Sequence, residues 1–289
     1  MLYVFLSVCC SVVVSVLLKL ARRYGIHVYQ AITWNYSMAI LLTWFFFKPQ
    51  VQGIQLAQLP ITVYAGLVVL LPLIFLVMAT SVRVAGIVRT DVAQRLSLFI
   101  SLLAAFLLFN EVPTPLKITG LVTGFAAILC AIPWQKQTAN RKVLSNAWIY
   151  LSVVFIGFGA IDILFKQVAA VKTVQYTTSL FIIFIMAFAV ALIGLAYQVI
   201  TRTARIRWPH VAFGLILGVA NFANILFYIK AHKALSASPS AVFTAMNIGV
   251  ITLGTLVGLF VFKERLTLLN KIGIALAIVA IIIITLSKS

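Results

Sequence analysis

Ten apolar runs of close to twenty residues, separated by short connectors bearing polar residues, Pro or Gly, leave this chain few ways to fold. A helix needs about 20 mostly apolar residues to cross a bilayer, and within lipid a helix satisfies every backbone N–H and C=O internally. The runs at roughly 2–21, 29–47, 60–82, 90–109, 115–133, 146–166, 176–200, 209–230, 239–262 and 267–286 therefore predict one membrane-spanning helix each. Of the 289 residues 64% are hydrophobic and 9% charged, whereas soluble domains are about 45–50% apolar. A soluble core is excluded.

The formal charge of +18 would suit a nucleic-acid binder in a soluble protein. Here Lys and Arg gather at the ends of the runs, where they meet lipid headgroups, so the bilayer is the expected partner and nucleic acid is not. The segment Met1 to Leu18 has no basic residue ahead of it and no small-residue cleavage site behind it, while Lys19, Arg22 and Arg23 follow. It reads as a retained first span and not as a signal peptide. Cys9, Cys10 and Cys130 lie inside apolar runs, so neither a disulfide framework nor a metal site is expected.

The longest polar connector, Gln135 to Ser145, divides the chain five spans plus five, into residues 1–134 and 146–289. The halves align to each other. Glu111, Thr114 and Gly120 recur as Glu264, Thr267 and Gly273, and Lys19 with Tyr29 recurs as Lys166 with Tyr176. Carried back at the offset of the first match, Gln94 pairs with Asn247. An odd number of spans per repeat makes the second half enter from the opposite side, an architecture common among secondary transporters. The expected fold is an all-α integral membrane protein of ten transmembrane helices in two inverted five-helix repeats.

With only four acids in the chain, each can be weighed singly. Glu111 and Glu264 sit at span ends and read as carboxylates accepting backbone N–H groups at the start of the next helix. Asp162 lies inside the sixth span, one turn before Lys166. An i, i+4 ion pair with Lys166 snorkelling, or a proton or substrate role, both fit. Asp91 and Arg95 repeat that spacing at the start of the fourth span. Gln94 and Ser97 carry the polar set inward, and Asn247 follows Thr244 in the ninth span. Asn221, Asn224 and Tyr228 recur at helical spacing along one face of the eighth span, and Trp34 with Asn35 offers stacking surface and an amide in the second. Interhelical hydrogen bonding is the plainer reading of these polar residues. The functional reading is a midplane site rich in amides and aromatics, with positive bias from Arg95, Lys19 and Lys166, suited to a zwitterion or an anion. Gly249, Gly254 and Gly258 read as small residues for close helix contact.

Lys19, Asn35-Tyr36, the run Val92 to Ser97, and the motifs at Glu111 and Glu264 together resemble the EamA-like branch of the drug/metabolite transporter superfamily, over essentially the whole chain. That resemblance implies a multi-pass inner-membrane carrier, usually an exporter, for amino acids, sugars or other small organic compounds, with no cofactor. The chain departs from the small cation-extruding relatives in lacking an acid in its first span, where Ser15 takes the place that the second match pairs with Asp162.

No G-x4-G-K-[ST] phosphate loop is present, so a proton or solute gradient is the expected energy source. The competing class is a membrane enzyme or flippase acting on lipid-linked substrates. H-E-x-x-H and G-x-S-x-G are both absent, and His27, His210 and His232 are scattered at span ends, which favours a carrier over an enzyme.

Overall fold

The computed structural model of the protein describes residues 1–50, 59–85, 87–131, 147–260 and 268–286. The expectations for Glu264 and for the connector at 135–145 lie outside those residues, as do the side chains of Lys19 and Asp91. The described residues form eleven α-helices and no strand. In chain order these are α1 (Leu2–Arg23), α2 (Val28–Phe47), α3 (Ile61–Val84), α4 (Ile87–Leu96), α5 (Leu98–Leu107), α6 (Pro115–Ala131), α7 (Ala147–Ala170), α8 (Tyr176–Ile200), α9 (Trp208–Ala234), α10 (Pro239–Phe260) and α11 (Leu268–Leu286).

Five of them, α3, α7, α8, α9 and α10, are long and apolar enough to cross a bilayer, and shorter apolar helices lie within α1, α4–α5, α6 and α11. Polarity is distributed inside out relative to a soluble protein. Large apolar side chains such as Phe5, Leu41, Phe45, Ile193 and Ile200 are exposed on the outer faces, while Thr33, Asn35, Ser101, Thr178, Ser179 and Thr244 are buried. A soluble monomer rarely exposes so much contiguous apolar surface. The protein is helical and membrane-embedded.

The run expected as one fourth span is broken at Ser97, between α4 and α5. The Ser97 hydroxyl donates back to the Gln94 carbonyl at 2.5 Å, and the Ile100 amide bonds Ser97 O at 3.0 Å, one residue short of the α-helical partner. Serine hydroxyls compete with the helical ladder in this way, and a single tightened turn interrupts the helix without ending the apolar run.

Helix packing crosses the middle of the chain. α9 lies against α1 and α2, α7 against α3, α4 and α5, α8 against α2 and α3, α10 against α1 and α5, and α11 against α6. Close approach depends on glycine at particular points. A Cβ on Gly218 of α9 would stand 2.7 Å from the Asn35 carbonyl oxygen and 2.6 Å from Met38 Cβ of α2. One turn earlier, a Cβ on Gly214 would stand 2.7 Å from the Ala31 carbonyl. On α10, Gly249 packs against Val8 of α1 as expected, but Gly254 has nothing within 4 Å of its Cβ position. Of these glycines Gly249 makes a close helix contact and Gly258 is buried, whereas Gly254 meets no described side chain or backbone.

Glu111 corrects another expectation. Asn110, in the left-handed conformation (φ 49°), ends the α5 segment. The Glu111 amide then returns to Ala105 O at 3.1 Å. This turn delivers the buried carboxylate to α10 in the other half of the chain. It accepts the Ser240 amide at 2.8 Å and the Ser240 hydroxyl at 2.5 Å, and pairs with Lys117 Nζ at 2.8 Å. The next helix, α6, is capped instead by Thr114 Oγ1, which accepts the Lys117 amide at 3.3 Å. A carboxylate at an N-terminus complements the helix dipole, and here it ties two distant segments together.

Two stability outcomes follow. Gly218→Ala lowers the thermal midpoint in detergent, because overpacking against backbone costs about 1–3 kcal/mol. Gly254→Ala leaves the midpoint unchanged or raises it, since alanine in an open helix interior gains about 0.5–1 kcal/mol over glycine. Glu111→Ala strands Lys117 as an uncompensated buried cation at a cost of about 3–5 kcal/mol. Adding Lys117→Met to that variant restores much of the loss in the same melting assay.

Candidate functional site

The polar face of α9 organises the interior. Asn221, Asn224 and Tyr228 follow one another at helical spacing, and His232, one further turn along, extends the stripe. Tyr228 is buried and donates its hydroxyl to Asp162 Oδ1 of α7 at 2.8 Å. From α5, the fully buried Ser101 donates to Asp162 Oδ2 at 3.0 Å. Each carboxylate oxygen therefore holds one hydroxyl, one from each half of the chain. No cation among the described residues joins them.

Of the two readings open for Asp162, the ion pair with Lys166 does not form. Lys166 Nζ donates to the Ser236 carbonyl in the α9–α10 connector at 3.0 Å and stands 5.7 Å from the centre of the Phe109 ring. It is buried and does not snorkel outward. The reason is geometric: the α9–α10 connector offers Lys166 an uncompensated carbonyl, whereas Asp162 is already turned toward α5 and α9.

Among the described residues the rest of the stripe is only partly hydrogen-bonded. Asn224 Oδ1 accepts the Ser7 hydroxyl of α1 at 2.8 Å, and Asn221 is buried. His232 is fully buried between Tyr228 and Phe243, with ring centroids at 4.7 Å and 4.8 Å, and neither ring nitrogen has a hydrogen-bond partner. Asn35 of α2 is buried with Oδ1 unpartnered, its backbone against Gly218 of α9. Trp34 beside it turns toward α8, its ring 6.3 Å from Phe188.

The residues are not all gathered. Asn247 donates its amide within α10, to Phe243 O at 3.1 Å. Gln94 is half-buried on α4, where its carbonyl receives Ser97, and the two amides share no hydrogen bond. α10 packs against α5, whereas Gln94 and the half-buried Arg95 lie on α4. Asp91 lies on the same α4 segment.

Ser101, Ser7 and His232 are the participants that sequence reasoning passed over. Serines in apolar runs carry no signal of their own, but His232 stands four residues after Tyr228 on the stripe already recognised. The assembled group can do one thing that its neighbours cannot. A carboxyl group in the interior, held by two hydroxyls and without a countercharge among the described residues, can exchange a proton or receive a cationic group from a solute.

No protein-family model matches the chain. Its fold is that of a protein of known crystal structure, on which it superposes with a TM-score of 0.71 at 13% identity, over 99% of this chain and 96% of that one. An uncharacterized protein of Haemophilus influenzae is 44% identical over 286 residues, 95% of this chain and 94% of that protein. The chain belongs to the same family as this Haemophilus influenzae protein.

Proposed function

We propose that this protein is a secondary transporter that carries a small polar metabolite across the inner membrane by alternating access, in the export direction. The observation that carries the reading is Asp162, held by Ser101 and Tyr228 from opposite halves with no cation among the described residues beside it. An uncompensated charge costs at least about 2.5–3.5 kcal/mol at the centre of a spanning helix. A site that keeps one gains by taking up a positively charged partner. A zwitterion of amino-acid size fits, its ammonium at Asp162 and its remaining polar atoms toward Asn221, Asn224 and Asn35.

The packing pattern supports ten spans in two inverted five-helix repeats, residues 1–134 and 146–289, with α4 and α5 counted as one interrupted span. Exchanging the halves turns α1 against α9 into α7 against α3, α2 against α9 into α8 against α3, and α1 against α10 into α7 against α4–α5. Both members of each pair are packed. The contacts of α2 with α8, α5 with α10 and α6 with α11 map onto themselves. Two such bundles can rock about an interior site. Membership of the EamA-like transporters, resembled by the motifs at Lys19, Asn35-Tyr36 and Glu111, agrees with this reading.

Counterflow tests it. Purified protein in vesicles preloaded with unlabelled amino acids, sugars or nucleosides is expected to accumulate the matching labelled solute, with amino acids the best class. Asp162→Asn keeps the shape and removes the charge, and lowers exchange at least tenfold with an unchanged melting midpoint. Tyr228→Phe weakens apparent affinity about tenfold, the worth of one hydrogen bond to a charged group at about 1.5 kcal/mol. Undiminished exchange by Asp162→Asn would defeat the proposal.

A further inference from the structure

The connector between α8 and α9 carries an arrangement that solute transport does not use. A hollow of about 440 Å³ is lined by Val199, Arg202, Ala204, Arg205 and Ile206. Beside it a second, of about 320 Å³, is lined by Trp34, Leu192, Leu195, Ala196, Val199 and Ile206 among others. Val199 and Ile206 border both, so the two adjoin. One end presents guanidinium groups, the other only apolar walls.

The connector is held in shape. Thr201 Oγ1 donates to Tyr197 O at 2.8 Å, and the Thr203 and Ala204 amides both reach Gln198 O, at 2.9 and 3.1 Å. From α2 the fully buried Gln30 donates Nε2 to Arg205 O at 2.8 Å. Arg202 and Arg205 themselves are exposed, as is Arg207 beside them. Two of the chain's four acids have described side chains. Glu111 is bound to Ser240 and Lys117, and Asp162 to Ser101 and Tyr228. Neither is available to these arginines. Exposed Tyr197 and Trp208 mark this end of the helices as the level of the headgroups.

We infer that the Arg202–Arg205 hollow and the adjoining Trp34–Leu195 groove form one binding site for an anionic phospholipid. The guanidinium forks match a phosphate diester in two-point hydrogen bonding, and the groove takes the first part of an acyl chain. Adjacent arginines repel the ammonium of a zwitterionic headgroup, so a lipid of net negative charge such as phosphatidylglycerol is selected.

The test compares delipidated protein in detergent with added phosphatidylglycerol, phosphatidylcholine of the same acyl chains, or inorganic phosphate, read by melting midpoint and by native mass spectrometry. Phosphatidylglycerol is expected to raise the midpoint by several degrees and remain bound, while the other two do neither. Arg202→Gln with Arg205→Gln reduces bound phosphatidylglycerol at least tenfold. Ala196→Trp, which fills the groove at an exposed position, does the same while leaving both arginines in place. Equal retention of phosphatidylcholine, a matching shift with inorganic phosphate, or undiminished lipid on the double arginine variant would overturn the assignment.

Discussion

A bilayer offers no hydrogen-bond partner to a peptide group, and this constraint arranges the whole molecule. Each segment closes its backbone bonds within itself as a helix, so the side chains alone decide which face turns to lipid. Apolar residues cover the outside because lipid accepts them, and the scarce hydroxyls, amides and acids turn inward because nothing outside would satisfy them. Asp162, Ser101, Tyr228, Ser7 and Asn224 meet across three interhelical contacts for that reason. The interior site is a product of what lipid rejects.

Because lipid tails are as apolar as the helices they surround, burial of leucine does little to hold two helices together here. Close backbone approach and polar ties do more. Gly214 and Gly218 let α9 lie directly on the backbone of α2, and this contact carries the polar stripe of α9 to the centre. Glu111 supplies the tie at the far end, where one carboxylate satisfies an amide, a hydroxyl and an ammonium together.

The helices were legible in the sequence because each is a local property, an apolar run, and the observed helix limits follow those runs closely. The break at Ser97 was not legible: one serine scarcely alters the apolarity of a run, and its effect depends on where the hydroxyl points. Asp162 stood out for its cost in lipid, and Tyr228 for its place on a periodic stripe. Their bond to each other did not, since it joins helices separated by 66 positions in sequence. The same distance explains the misassigned partners. Local spacing favoured Lys166 for Asp162 and the following helix for Glu111, whereas the fold brought Ser236 and Ser240 from the other side of a connector.

The two ends of the bundle are fastened unequally. α9, at 27 residues, spans about 40 Å between them. Near its start the α1–α2 and α8–α9 turns touch through the His27 amide and His210 Nδ1, at a long 3.4 Å. Near its finish Glu111, ion-paired to Lys117 of α6, grips the first turn of α10 with two hydrogen bonds, and Lys166 is anchored to Ser236. Any motion that parts the first-half turn from α10 must break charge-assisted bonds, whereas the ties described at the histidine end, from His27 to His210 and from Gln30 to the Arg205 carbonyl, join neutral groups. The bundle is therefore braced like a frame with one welded corner: charge holds the Glu111 end together, and neutral contacts hold the end at His27 and Gln30.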